Sequence, residues 1–428
     1  MSWNQAALVR ALTELIGGGG LSAEPDSLTA AYEPLMKLRM AVNPPRLVLR
    51  PETPEKLSLA MGYLQRRGIK SVFTGRRPVA PCRLGRDRYV AFDISHMAGV
   101  SAIDPLSSLA VMGASTPMSA VRTQLSGQGW LLPFAPACGG DPTLADCLDG
   151  DFWGHDAAPE PTLASLVLSG TAVFPDGTIY RGLPVPRSAA GSDLVRTLAG
   201  SAGMLAVWCA LTVAVIRQPH RRVVRAFQLP DAETGVTICR IILHQWLSPR
   251  RLVLRPSSGG IMLLAWFEGD QDRCELMESK TSAVLIERGL APLGSRQTAA
   301  VIAEALEPPP AASLYFAARA DWRKLTTVWA ALDSATDASN WIMHISGMSM
   351  QGAVIHLNGM VAAAHRARQA AGLARAARRA GAAAIRCPDC DTAGSDLEVR
   401  LLQGVKEELD LGGILNPGRL RRTRSEGC

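Results

Sequence analysis

Three short segments and two histidines hold the residue types from which chemistry could be built in this chain. A site for two adjacent phosphates meets two negative charges at close range, so it needs convergent backbone N–H groups and residues small enough to let them approach. Gly200-Ser201-Ala202-Gly203-Met204-Leu205-Ala206-Val207, running into the apolar strand Leu211 to Ile216, supplies a small-residue turn of that kind. Thr74-Gly75-Arg76-Arg77-Pro78-Val79 has one glycine, two arginines and a proline with no N–H to donate. Arg76 and Arg77 either replace lost backbone contacts with charge-assisted hydrogen bonds or point to solvent. Pro142-Thr143-Leu144-Ala145-Asp146 brings a carboxylate that would repel a phosphate unless Asp146 points away. His344 and His356 carry imidazoles, which can hold a metal or take a hydroxyl proton, although two histidines near a strand equally serve as packing.

The elements that must position these residues follow from period and caps. Ala6 to Ile16 reads as an amphipathic helix stopped by Gly17 to Gly20. Pro45-Arg46-Leu47-Val48-Leu49-Arg50-Pro51 is a short strand bounded by prolines, Thr53-Pro54 opens a helix with apolar Leu57, Ala60, Met61 and Leu64 on one face, and Gly68 to Gly75 is the next strand and turn. That order is a β-α-β unit. Leu166 to Gly182 reads as a strand pair folded at Phe174-Pro175-Asp176-Gly177-Thr178. Beyond His220, strands over Val223 to Gln228, Arg251 to Arg255, Ile261 to Phe267 and Ser313 to Ala318 alternate with helices over Cys274 to Arg288 and Gln297 to Ala305, as in an α+β domain on an antiparallel sheet. Ala362 to Ala384 is expected to be helical, and Asp396 to Leu409 forms the last helix.

The turn at Gly200 to Val207 and the tail Gly413-Ile414-Leu415-Asn416-Pro417-Gly418-Arg419-Leu420 together resemble two signatures of the flavin oxidases of the vanillyl-alcohol oxidase class. The likeness is closest to the FAD-binding subunits of bacterial glycolate oxidase and D-lactate dehydrogenase. The strand Tyr89 to Ser95, the segment Val111-Met112-Gly113-Ala114 and the stretch Leu263 to Gly269 extend it. The resemblance implies an α+β fold: a PCMH-type FAD-binding domain of two α+β subdomains over residues 1–219, an antiparallel-sheet α+β cap over 220–410, and a segment 411–428 returning to the FAD domain. The cofactor implied is FAD, bound non-covalently, because the Thr74 to Val79 loop offers no His, Cys or Tyr for attachment. Carried over residue by residue, the cofactor-binding positions are Thr74, Gly75, Arg76, Arg77, Pro78, Thr143, Leu144, Gly200, Ser201, Gly203, Val207 and Asn416. Where the family writes glycines this chain has Ala145 and Asp146, where it writes glutamate it has Ala202, and where a threonine is frequent it has Cys209. The family's histidine-rich Gly-His-x-Gly-Asp-Gly-Asn-x-His motif lacks its centre here, and His356 falls at the place of the last histidine as the candidate catalytic residue.

Composition narrows the remaining classes. A chain of 428 residues with 47% hydrophobic and 19% charged residues is long enough for two or three domains with sizeable cores. No apolar run reaches the length of a transmembrane segment, and Met1 to Gly20 lacks the pattern of a signal peptide, so a cytoplasmic protein is expected. The net charge of +7 comes mostly from scattered arginines with 5% aromatics, a pattern that speaks against a nucleic-acid surface. Nine cysteines without an export signal read as reduced thiols. Cys387-Pro388-Asp389-Cys390 lacks the two further ligands of a zinc site, and no cysteine cluster could hold an iron–sulfur centre.

Two functions of different class remain open at this point. The resemblance implies an FAD-dependent oxidoreductase subunit that oxidises a small 2-hydroxy acid, or relays its electrons in a complex with a catalytic flavoprotein subunit and an iron–sulfur subunit. The degenerate phosphate loops leave a flavin-less pseudoenzyme, serving as scaffold for a partner flavoprotein, as the alternative.

Overall fold

The computed structural model describes residues 4–37, 43–73, 84, 88–154, 162–185, 192–245, 247, 249–306, 314–336, 341–361, 365–387 and 396–417. The first sheet has four strands in the order Leu21–Ser22, Val48–Leu49, Tyr89–Phe92, Lys70–Phe73. Val48–Leu49 and Lys70–Phe73 both run parallel to Tyr89–Phe92, so a crossover must join them, and the helix Pro54–Arg66 does so. Thr53 caps this helix by accepting a hydrogen bond from the Lys56 N–H, and Leu57, Ala60, Met61 and Leu64 are fully buried against the sheet. The expected β-α-β unit is present.

The second sheet is antiparallel, with five strands in the order Val100–Asp104, Leu109–Gly113, Val207–Ala214, Val167–Val173, Ile179–Arg181. Its last hairpin folds at Asp176-Gly177, where the Asp176 carboxylate accepts from the Thr178 N–H and hydroxyl. The same turn docks on the helix of the first sheet. A Cβ on Gly62 would sit 2.9 Å from the Asp176 carbonyl oxygen, so the backbones approach to a distance only glycine allows.

The third sheet has seven strands, ordered Arg221–Leu229, Gly260–Gly269, Arg251–Ser257, Trp341–Ser349, Gly352–Gly359, Leu314–Asp321, Ala384–Arg386. Every pairing recorded within it is antiparallel. The helices Ala232–His244, Leu325–Asp333 and Arg366–Arg379 cover one face through a core that includes Phe227, Leu254, Phe316, Ile355 and Leu373. The opposite face presents Tyr315, Ala317 and Val354 to the core of the second sheet, so the cap closes on the flavin-type half with apolar contact.

Two expectations need correction. The helix expected from Ala362 to Ala384 spans Arg366–Arg379 within the described residues, and Ala384 begins a strand. Gly381, at a φ of 93°, turns the chain out of the helix in the left-handed conformation that favours glycine. The strands Trp341–Ser349 and Gly352–Gly359 were not foreseen, and they form the centre of the cap sheet. No helix among the described residues is long and apolar enough to cross a membrane.

Candidate cofactor site

Thr74, Gly75, Arg76, Arg77 and Pro78 lie outside the described residues. Of the remaining positions, Thr143 and Leu144 begin one short helix, Leu144–Asp149, and the Gly200–Gly203 turn is fastened to its end. Its cap is a reciprocal box: Thr143 Oγ1 accepts from the Asp146 N–H at 3.1 Å, and an Asp146 carboxylate oxygen accepts from the Thr143 N–H at 2.9 Å. Asp146, placed by the family pattern where a glycine should meet the cofactor, thus turns its charge into its own helix cap. Leu144 is fully buried.

Two further segments are tied to that helix through backbone. Leu144 N–H donates to the Thr116 carbonyl and Ala145 N–H to the Ala114 carbonyl, at 3.0 and 2.8 Å, which fastens the segment leaving the strand Leu109–Gly113. Gly200 N–H and Ala202 N–H donate to the Leu148 and Asp149 carbonyls, each at 2.9 Å, and fasten the small-residue turn. Gly200, Ala202 and Gly203 sit at φ values of 73°, 55° and 66°, so the turn is left-handed at three of four consecutive residues. For Ala202 that conformation is strained and requires support from its surroundings.

The C-terminal segment supplies some of this support. Leu415 bridges in parallel to Ser71 at the edge of the first sheet. Asn416 donates its side-chain amide to the Gly203 carbonyl at 2.7 Å and accepts from the Phe73 N–H at 3.2 Å. The residue expected at the cofactor therefore joins the small-residue turn to the last strand residue before the Thr74 loop. Val207 is buried at the start of its strand. Burial pushes the Cys209 thiol up to about 12, with a smaller push from Glu55, so this position carries an inert thiol.

Two buried hydroxyls, Ser115 Oγ and Ser201 Oγ, have no hydrogen-bond partner among the described residues. Each belongs to a segment fastened to the Leu144–Asp149 helix. A buried hydroxyl left unpaired costs about 1–3 kcal/mol, which a polar ligand between the segments would recover. The small-residue turn, the diverted Asp146 and these two hydroxyls fit a polar cofactor such as FAD.

In the cap, His356 is fully buried on the strand Gly352–Gly359 and lies directly opposite His344. The two rings stack at 5.0 Å, and His356 Nδ1 shares a hydrogen bond with the Tyr315 hydroxyl at 3.1 Å. Burial, then Arg255 and Arg251, push His344 down to about 3; burial and His344 push His356 well below its ordinary range. Both imidazoles are neutral near pH 7. Tyr315 meets Phe152 edge-on at 5.6 Å, and the Asn358 amide donates to the Ala137 carbonyl at 3.2 Å, so His356 sits at the seam between cap and flavin-type half. No cluster of three or more His, Cys, Asp or Glu suited to a metal occurs among the described residues.

Sequence reasoning missed Tyr315, Asn358, Lys406 and Asp410. Lys406 and Asp410 lie four apart in the common pattern of a solvated helix pair, which gives no sign that Asp410 is buried.

A family model described as "FAD binding domain" matches residues 45–182. The chain is 24% identical over 268 residues to D-lactate dehydrogenase [cytochrome] 1, mitochondrial, of Saccharomyces cerevisiae; the match covers 61% of this chain and 44% of that protein. It is 25% identical over 161 residues to the FAD-linked oxidoreductase YgcU of Escherichia coli strain K12, covering 37% of this chain and 33% of that one. The matches thus span less than half the length of these curated relatives. Among solved structures, an alkyldihydroxyacetonephosphate synthase superposes with a TM-score of 0.75 at 16% identity, covering 98% of this chain and 86% of that one. Residues 45–182 match an FAD-binding domain of the PCMH type, and the chain shares the fold of the solved alkyldihydroxyacetonephosphate synthase.

Proposed function

We propose that the protein is an FAD-dependent oxidoreductase subunit of the glycolate oxidase and D-lactate dehydrogenase type. It oxidises a small 2-hydroxy acid, or relays the electrons of that oxidation within a complex containing a catalytic flavoprotein and an iron–sulfur subunit. The observation that carries the cofactor part is the left-handed Gly200–Gly203 turn held on the Leu144–Asp149 helix, with the Ser201 hydroxyl buried in it and the Ser115 hydroxyl buried in the segment fastened to the helix start. Ser115, Thr143, Ser201 and the backbone of the turn would hold the group, without a covalent bond. When bound, FAD supplies acceptance of two electrons.

A specific observation supports the second reading, a flavin-less scaffold. Thr143, Leu144, Ser201, Val207 and Asn416 are all at most 7% exposed, covered by the chain's own atoms. An absorption spectrum of the purified protein, followed by titration with FAD and anaerobic addition of D-lactate or glycolate, separates the two. Flavin absorbance that bleaches with a 2-hydroxy acid is the expected result. A colourless protein that takes up no FAD leaves the scaffold. Acid precipitation tests the mode of binding, and yellow colour remaining with the pellet would contradict non-covalent attachment.

A further inference from the structure

Lys406 stands on the last helix, Asp396–Leu409, and its ammonium group ties the end of that helix and the returning segment to the distant Met204. It donates to the Met204 carbonyl at 2.7 Å, to the Leu415 carbonyl at 2.9 Å and to the Asp410 carboxylate. The Lys406 side chain is 16% exposed and that of Asp410 is 0% exposed. Asp410 in turn accepts from the Ile414 and Leu415 N–H groups, each at 2.9 Å. An exposed Lys–Asp pair one helical turn apart contributes little. Here Asp410 is buried and Lys406 half-buried, and the pair also bonds to backbone groups of the turn and of the returning segment.

The acceptors decide what the pair does. Gly203 and Met204 offer successive carbonyls to the C-terminal segment, one to Asn416 and one to Lys406. A trans peptide is planar with its C=O and N–H opposed, so fixing the Met204 carbonyl on Lys406 sends the Leu205 N–H to the other side, away from the last helix. The turn so held contains the strained Ala202 and the buried Ser201 hydroxyl. We infer that Lys406 and Asp410 form a latch that sets the Gly200–Met204 turn for the cofactor and makes cofactor affinity depend on docking of the last helix. The inference rests on the FAD reading above. By linkage, the cofactor also tightens the docking of that helix. Lys406 is a positioning residue, since it acts through the turn.

The test compares the full chain with Lys406→Met, which removes all of these donor contacts, and with Lys406→Arg. Hydrogen exchange measured by mass spectrometry follows residues 200–206 in the absence of cofactor, with the cap strand 352–359 as internal reference, and flavin fluorescence measures FAD affinity. The latch predicts faster exchange over 200–206 and over the partnered segment 410–416, with 352–359 unchanged, and at least tenfold weaker FAD binding in Lys406→Met, with partial recovery of both in Lys406→Arg. Unchanged exchange over 200–206 in Lys406→Met overturns it, as does unchanged affinity with faster exchange. If Lys406→Met exchanges throughout, Lys406→Gln decides by the same criteria, because its amide keeps a donor without the charge. If the unmodified protein takes up no FAD, the cofactor reading fails by itself, and the hold on the turn stands or falls on the exchange measured without cofactor.

Discussion

His344 and His356 show how strongly burial acts on a single side chain. Their folded pKa values lie below the unfolded value, so the unfolded state binds more protons as pH falls and stability falls with it. The contribution is fully present above about pH 6.5 and is lost progressively on acidification, toward about pH 3 for His344. Denaturant midpoints between pH 7 and pH 4 should therefore drop steeply in the unmodified protein. In His344→Gln the slope should flatten by about 1.4 kcal/mol per pH unit, and an identical slope would mean that His344 is not held neutral. A base kept this weak and this enclosed would remove a substrate proton poorly. A second prediction concerns Asp146: its replacement by Ala removes the carboxylate from the reciprocal cap and should cost about 1 kcal/mol of stability, read as a shift in denaturant midpoint, whereas Asn should recover part of that loss. The role of Asp146 was half legible, since its charge could be named from sequence while its direction depends on a helix cap only the folded chain reveals.

At the scale of elements, the packing of the hairpin turn on the helix Pro54–Arg66 gives a sharp comparison. A Cβ at position 62 would meet the backbone of Asp176 at 2.9 Å, and one at position 68 would meet nothing within 4 Å despite a φ of 61°. Gly62→Ala should lower the thermal midpoint through overpacking of about 1–3 kcal/mol, and Gly68→Ala should cost only the strain of the left-handed backbone, about 1–2 kcal/mol. Equal effects with no disturbance of the hairpin would refute the close approach. The β-α-β unit that includes this helix was legible because caps and a one-sided apolar face are local signals. The central cap strands were not. Gly352–Gly359 is buried at every position, one face against the cap helices and the other against the flavin-type half, so the alternation that marks a half-buried strand is missing from its sequence. The helix expected through Ala384 overran its end because alanine propensity runs past Gly381, and pairing of Ala384–Arg386 with Leu314–Asp321 overrides it.

For the whole molecule, the feature with the widest reach is the return of the chain to its first sheet. Ser71 and Ile414 are 343 positions apart, yet the Ser71 N–H donates to the Ile414 carbonyl at 2.7 Å. Deleting residues 414–417 should expose the edge strand Lys70–Phe73 and release the Gly203 carbonyl, and is expected to lower the thermal midpoint and abolish FAD uptake together. Loss of neither would show that the return is dispensable. Sequence comparison locates both halves of this junction but cannot show that a lysine ties them, because a buried Lys–Asp pair and a solvated one are written alike. The separation also fixes an order of events at the ribosome. While the chain emerges from its N-terminus, the first sheet is synthesised early and waits with an open edge until the segment around Leu415 leaves the exit tunnel. The Gly200–Met204 turn likewise gains its contacts to Lys406 and Asn416 only once those residues have emerged. A product cut short between the end of the second sheet and that segment would hold both sheets without the returning segment, and its exposed edge would make it a substrate for chaperones and proteases.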